Sequence, residues 1–129
     1  MAAETTRDFN LKILIVEDDE ASEMLVTVSV QNFAREIIYE KTGTGAVEAC
    51  LKNQDIDLIL MDIQLPGMDG YEATKQIREF NARVVIIAQT AFALQGDKKK
   101  ALDAGCNDYI SKPITKDELL KMIRKYFGK

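Results

Sequence analysis

The chain has 129 residues, 47% hydrophobic and 29% charged, with a formal net charge of −4 and no histidine. That length suits one domain with a core large enough to need no disulfide or metal staple. The acidic balance argues against nucleic acid or an anionic membrane as the main partner, and the missing histidine removes every His-based metal site and His general base.

Residues 1–10 are polar, have no signal-peptide core and read as a flexible lead-in to a single domain over 11–129. Residues 12–16 form an apolar run of strand length that ends in Glu17, Asp18, Asp19 and Glu20. Those four acids are either a solvated charge run or the acidic first turn of a helix, with Asp19 as its N-cap. Ala21, Met24, Leu25 and Val28 follow at helical spacing. A more polar strand over 36–41 suits a sheet edge. Thr42, Gly43, Thr44 and Gly45 make a turn, and Ala46, Val47, Cys50 and Leu51 give a short helix. The two glycines do not make a dinucleotide fingerprint, because Glu48 stands where the third glycine is needed, and no P-loop pattern exists in the chain. Cys50 and Cys106 lie outside any CxxC and fit core packing in a reducing compartment. No apolar run approaches membrane-spanning length, so a cytoplasmic location is expected.

The run over 58–62 reads as a strand buried on both faces, with a buried helix segment as the alternative by pattern alone; it ends in the carboxylate of Asp62, which is either a site residue or simply the cap of a turn. A loop with Pro66, Gly67 and Gly70 follows. Asp69 and Glu72 then have helix-start spacing, with Ala73, Ile77 and Phe80 as the buried stripe. Residues 84–88 are a fourth strand, ending in Gln89, Thr90 and Ala91. The next helix, over about 94–104, is polar, carries Asp97 and Lys98, Lys99 and Lys100, and stops at Gly105. Its thin apolar stripe suits movement or partner contact, although a plain solvated face is the simpler account of the lysines. Residues 108–111 form a fifth strand, followed by Lys112 and Pro113. Thr115 and Glu118 have capping-box spacing ahead of an amphipathic helix with Leu119, Leu120, Ile123, Tyr126 and Phe127. Five strands alternating with five helices imply an α/β fold, a doubly wound parallel sheet with helices on both faces.

In such a sheet the strand ends share one edge, which is where ligand chemistry sits. Glu17, Asp18, Asp19, Asp62, Thr90 and Lys112 converge there. Clustered carboxylates repel one another unless a cation is present, and an all-oxygen donor set suits Mg²⁺. A metal, an ammonium and a hydroxyl around a carboxylate form a site for a phosphoryl group on that carboxylate. The competing account is a structural ion-pair network of Asp18, Asp62 and Lys112.

Four motifs carry a family resemblance: ILIVED at 13–18, MDIQLPGMDG at 61–70, Gln89-Thr90-Ala91, and DYISKP at 108–113. Over roughly 11–127 the chain resembles the receiver domains of bacterial two-component signalling, in motif style nearest to those of hybrid kinases. The resemblance implies a flavodoxin-like sheet of order 2-1-3-4-5. It implies that Asp62 accepts phosphate from a phosphohistidine on a histidine kinase or phosphotransfer protein, in a Mg²⁺-dependent reaction. The domain would be a regulatory phosphoacceptor rather than an enzyme acting on external substrates. By the same resemblance Glu17, Asp18, Asp62 and the Gln64 carbonyl hold the metal, with Asp19 as a spare acid. Thr90, Ala91 and Lys112 bind the phosphoryl group, and Thr90 and Tyr109 are the switch pair. The helix 4, strand 5 and helix 5 face meets the downstream target. Gln64 and Phe92 flank the approach of water and set the phosphoryl lifetime. The Lys112–Pro113 peptide is expected to be cis. Gln89 departs from the apolar residue usual before the threonine.

Two rivals remain. Haloacid-dehalogenase-like phosphatases also use an aspartyl nucleophile with Mg²⁺, but they need an acid two residues later, where Gln64 stands. A receiver-like scaffold without phosphorylation is the other, and the set Asp18, Asp62, Thr90 and Lys112 argues against it. The sequence leaves open whether the chain is a free regulator or part of a longer one.

Overall fold

The computed structural model describes residues 9–91 and 95–128. Five parallel strands form one sheet of order β2-β1-β3-β4-β5: β1 Leu11–Val16, β2 Ala34–Glu40, β3 Leu58–Asp62, β4 Val85–Thr90 and β5 Asp108–Ser111. The helices are α1 Glu20–Val30, α2 Gly43–Lys52, α3 Gly70–Arg78, α4 Gln95–Ala104 and α5 Lys116–Phe127, and a 3-10 turn at Gln31–Phe33 follows α1. This is the flavodoxin-like doubly wound α/β fold that the motif order implies. The order follows from burial. Every residue of β1 and β3 is buried, so they take the sheet interior, whereas no residue of β2 is fully buried and it lies at an edge.

Strand alternation sorts the core into two layers. Leu14, Val16, Ile59, Met61, Ile86 and Ala88 face α2, α3 and α4, where Ala46, Ala73, Ile77 and Ala101 pack. Ile13, Ile15, Leu58, Leu60 and Ile87 face α1 and α5, against Val26, Val30, Leu119 and Ile123. Each fully buried aliphatic side chain contributes roughly 1.5–3 kcal/mol, so these layers dominate the stability.

Helix starts follow the side chains present. Asp19 caps α1 by accepting the Ser22 N–H at 2.9 Å, and Asp69 caps α3 through the Glu72 N–H at 2.9 Å. Thr115 accepts the Glu118 N–H at 3.2 Å at the start of α5. Gly105, at φ +114°, ends α4 in the left-handed region.

Three sequence expectations are corrected. In α1 the buried residues are Val26, Ser29 and Val30, while Met24, Leu25 and Val28 are more than half exposed. The helix is apolar around most of its girth, so spacing could not select its inner face. Gly43 and Gly45 lie inside the first turn of α2, capped by Thr42, rather than in a preceding turn. Phe80 lies beyond α3 and is 37% exposed. Leu94, taken as the start of the fourth helix, lies outside the described residues. Within the stretch read as a lead-in, Phe9 meets Phe33 edge-on, with ring centroids 5.9 Å apart. No helix among the described residues is long and apolar enough to cross a membrane.

Candidate functional site

Strand register assembles the site. Val16 pairs with Met61 and Asp62 with Gln89, so the residues that follow β1 and end β3 lie side by side. Lys112 follows β5, and its N–H donates to the Thr90 carbonyl at 2.7 Å, which holds the β5 end beside the β4 end. The Lys112 ammonium then crosses the sheet edge. It donates to Glu17 Oε1 at 2.7 Å and to Asp62 Oδ2 at 3.0 Å. The other Asp62 oxygen, Oδ1, accepts the Gln64 N–H at 2.9 Å. Glu17 Oε2 accepts the Asp19 N–H at 3.2 Å.

Glu17 and Asp62 are buried, and Asp18 is exposed at the mouth. One carboxylate oxygen from each of the three lies within 4.8 Å of the others. Of these three carboxylates, Glu17 and Asp62 share the Lys112 ammonium, and Asp18 adds a further negative charge beside them. Burial pushes the Glu17 carboxyl up to about 7, and the nearby Asp62 carboxylate adds to the rise; the Lys112 hydrogen bond opposes both and does not cancel them. Burial disfavours the charged form of Lys112, but its contacts with Glu17 and Asp62 outweigh that and hold its pKa above the usual value. The cluster is therefore short of positive charge. An oxygen-only donor set in that condition is suited to a hard divalent cation.

The loop after β3 is shaped by two glycines for different reasons. Gly67 has φ +75°, a conformation that penalises a Cβ. Gly70 lets α3 approach the strand end, since a Cβ there would strike the Asp62 carbonyl oxygen and the Ile63 backbone. The Lys112–Pro113 peptide is cis, as expected.

Thr90 is buried at the end of β4, and Ala91 follows it exposed in the loop. Tyr109, in β5, is partly buried and packs against the layer under α2, α3 and α4. The Gln64 side chain is exposed beside Asp62. Phe92 lies outside the described residues. Asp19 is engaged as the α1 cap, which holds its carboxyl below the usual range through the Ser22 hydrogen bonds. Two features were not read from the sequence. Glu17 is tied directly to Lys112, a contact across 95 positions that local pattern cannot reveal. Gln89 is fully buried, and this was legible, because it continues the Val85 and Ile87 face of β4.

The sequence model for the response regulator receiver domain matches residues 13–124. The chain belongs to the response regulator receiver domain family. Among its receiver relatives, the polar-differentiation response regulator DivK of Brucella anthropi is 36% identical over 118 residues, covering 90% of this chain and 95% of DivK. The sensor protein GacS of Pseudomonas syringae pv. syringae is 35% identical over 122 residues; that match covers 91% of this chain and 13% of GacS. Similar solved structures include the receiver domain of sensor histidine kinase PA1611 from Pseudomonas aeruginosa PAO1, which has magnesium coordinated in its active-site cleft. It aligns with a TM-score of 0.83 at 38% identity, covering 93% of this chain and 99% of that one. A second is the Saccharomyces cerevisiae complex of the phosphotransfer protein Ypd1 with the receiver domain of Ssk1, at TM-score 0.82 and 36% identity over 91% of this chain and 88% of that one. This receiver is thus a regulatory module of two-component signalling.

Proposed function

We propose that this receiver takes a phosphoryl group from a partner phosphohistidine onto Asp62. The observation that carries the reading is the Lys112 ammonium bridging Glu17 and Asp62 in a cluster with three carboxylates and one cation. In the transfer, an Asp62 carboxylate oxygen forms the bond to phosphorus while the phosphorus–nitrogen bond of the donor breaks. The electron pair of that bond stays on the imidazole nitrogen. The Gln64 N–H and Lys112 hold the two Asp62 oxygens in place, so the nucleophile is oriented before the donor arrives. Lys112 follows the charge as it moves onto the phosphoryl oxygens. Thr90 and the backbone of Ala91 stand at the adjacent strand end to meet those oxygens.

Glu17, Asp18 and Asp62, with the Gln64 carbonyl, would hold Mg²⁺. The metal would neutralise charge on the transferring group. The donor set fits, being carboxylate oxygens in a cluster short of positive charge.

Docking of the donor is supported by α1, whose Met24 and Val28 project as exposed apolar side chains one helix turn apart, starting about one turn after Glu20, where the helix begins beside the acids. A downstream partner would meet the α4, β5 and α5 face; Lys98 and Lys99 are exposed on α4, while Lys100 turns toward α3 beside Tyr71 and Lys75. Phosphorylation would draw Thr90 inward and let Tyr109 follow. On sequence position, Gln64 and Phe92 would limit water attack, since neither side chain is a base near neutral pH. The domain would act only on its own aspartyl phosphate, in a cytoplasmic setting.

The test is intact mass after incubation with acetyl phosphate and Mg²⁺. The wild type gains one phosphoryl mass, and chelation abolishes the gain. An Asp62→Asn protein that gains it equally overturns the reading.

A further inference from the structure

Gln89 sets a carboxamide in a row of aliphatic side chains. Val85 and Ile87, the preceding residues on that face of β4, pack in the core layer under α1 and α5, and Ile110 stands opposite Gln89 on β5. The Gln89 side chain is fully buried. Its Oε1 and Nε2 each have less than 1 Å² of accessible surface, and among the described residues neither has a hydrogen-bond partner. A methionine would continue the row with no orphaned polar atoms. A carboxamide buried and unpaired at both ends destabilises the conformation that holds it so.

Both atoms are closed to solvent, so a partner has to come from the chain itself. Asp62 pairs with Gln89 in the β3–β4 register and lies on the same face of the sheet. Lys112 and Gln89 both border a cavity of about 260 Å³, lined also by Ser22, Leu25 and Val26 of α1, which leaves the two side chains room to shift. An ammonium has three N–H donors. Lys112 uses one on Glu17 Oε1 and one on Asp62 Oδ2, and among the described residues the third has no acceptor. The bond to Asp62 Oδ2 is the one that a phosphoryl group on Asp62 disturbs, because the ammonium follows the charge to the phosphoryl oxygens. We propose that Gln89 is a positioning residue that pairs with Lys112 only once Asp62 is phosphorylated: Lys112 Nζ then donates to Gln89 Oε1. The resting chain carries the unpaired carboxamide as a bias toward switching. The inference rests on Asp62 being the phosphoacceptor. Replacing the carboxamide by an apolar group stabilises the resting form and takes a hydrogen bond from the phosphorylated one, so the balance moves toward rest.

The test is titration of the ¹⁵N-labelled chain with beryllofluoride, a phosphoryl mimic, in the presence of Mg²⁺. In the wild type, saturable shifts are expected in the backbone amides around Asp62 and, with the same midpoint, in the Gln89 side-chain NH₂ pair. Gln89→Met and Gln89→Leu should each need about tenfold more beryllofluoride for half-saturation, while their urea midpoints without the mimic rise above that of the wild type. A Gln89 that serves packing alone would change stability equally with and without the mimic and leave the half-saturating concentration as it is, and that result overturns the proposal. Lower urea midpoints in both variants overturn it too. Saturable shifts around Asp62 with a wild-type Gln89 NH₂ pair that does not move overturn this proposal alone, whether or not the variants fold. No saturable shift anywhere in the wild type overturns the phosphoacceptor reading together with it.

Discussion

The Lys112 ammonium lies 2.7 Å from Glu17 Oε1, closer than it lies to Asp62. Glu17 is buried, and among the described residues no other cation pairs with it. Removing Lys112 therefore leaves a buried carboxylate unpaired as well as stripping the phosphoryl site of its ammonium. Lys112→Met should slow phosphorylation by acetyl phosphate at least about tenfold, and should destabilise the fold by roughly 1–3 kcal/mol unless Glu17 takes up a proton. Lys112→Met combined with Glu17→Gln should recover most of the stability and none of the rate. Urea unfolding and phosphorylation kinetics on the two proteins separate the effects.

Gly70 and Gly67 should respond differently to alanine. A Cβ at Gly70 runs into the Asp62 carbonyl, so Gly70→Ala should displace the strand end and cost more than about 2 kcal/mol, with loss of phosphorylation. At Gly67 nothing lies within 4 Å of the added carbon, and only the positive φ is penalised. Gly67→Ala should cost roughly 1 kcal/mol and keep the reaction. Similar losses in both proteins would contradict the close approach of α3 to Asp62.

Arg78 ties the far end of the same layer together. Its guanidinium donates to the carbonyls of Gly105, Val84 and Asn81 at 2.8, 2.7 and 3.2 Å, and to Asn107 Oδ1 at 2.9 Å. A lysine cannot reach four acceptors from one ammonium. Arg78→Lys should lower stability by about 2–4 kcal/mol in urea unfolding while leaving phosphorylation of the folded protein intact. A stability within 1 kcal/mol of wild type would show that water replaces these bonds.

Asp108 gives a pH signature away from the acid cluster. Burial alone would raise its carboxyl, but hydrogen bonds from Lys125, its neighbour's backbone N–H and the Tyr126 hydroxyl outweigh this and hold it below the usual range. A depressed pKa stabilises the fold above the unfolded carboxylate value of about 3.9 and stops doing so as pH falls through the folded value. Asp108→Asn should therefore be about 1 kcal/mol less stable at neutral pH, and the gap should close below about pH 4. A gap that persists unchanged in acid would mean that the charge is not responsible.

The exposed α1 face yields a kinetic prediction. Val28→Glu should slow phosphotransfer from a phosphohistidine protein that loads the wild type, by about tenfold or more, because it charges an apolar contact. The acetyl phosphate reaction should be unchanged, since that donor needs no docking surface. Equal slowing with both donors would move the role of Val28 to the fold.

Much of this receiver was legible in sequence because its signals are local. Apolar runs bounded by acids mark β1 and β3. Asp19, Asp69 and Thr115 mark helix starts, since a cap bonds only two or three residues away. The convergence of Asp62, Thr90 and Lys112 also followed, because parallel strands put their ends on one edge. Tertiary structure decided what depends on distant packing. It chose the inner face of α1, where apolar residues nearly encircle the helix and only contact with the sheet distinguishes Val26 from Leu25. It paired Glu17 with Lys112 across 95 positions, and it set the Glu17 carboxyl up to about 7 by burial. Desolvation depends on every neighbour at once, and no local pattern encodes that.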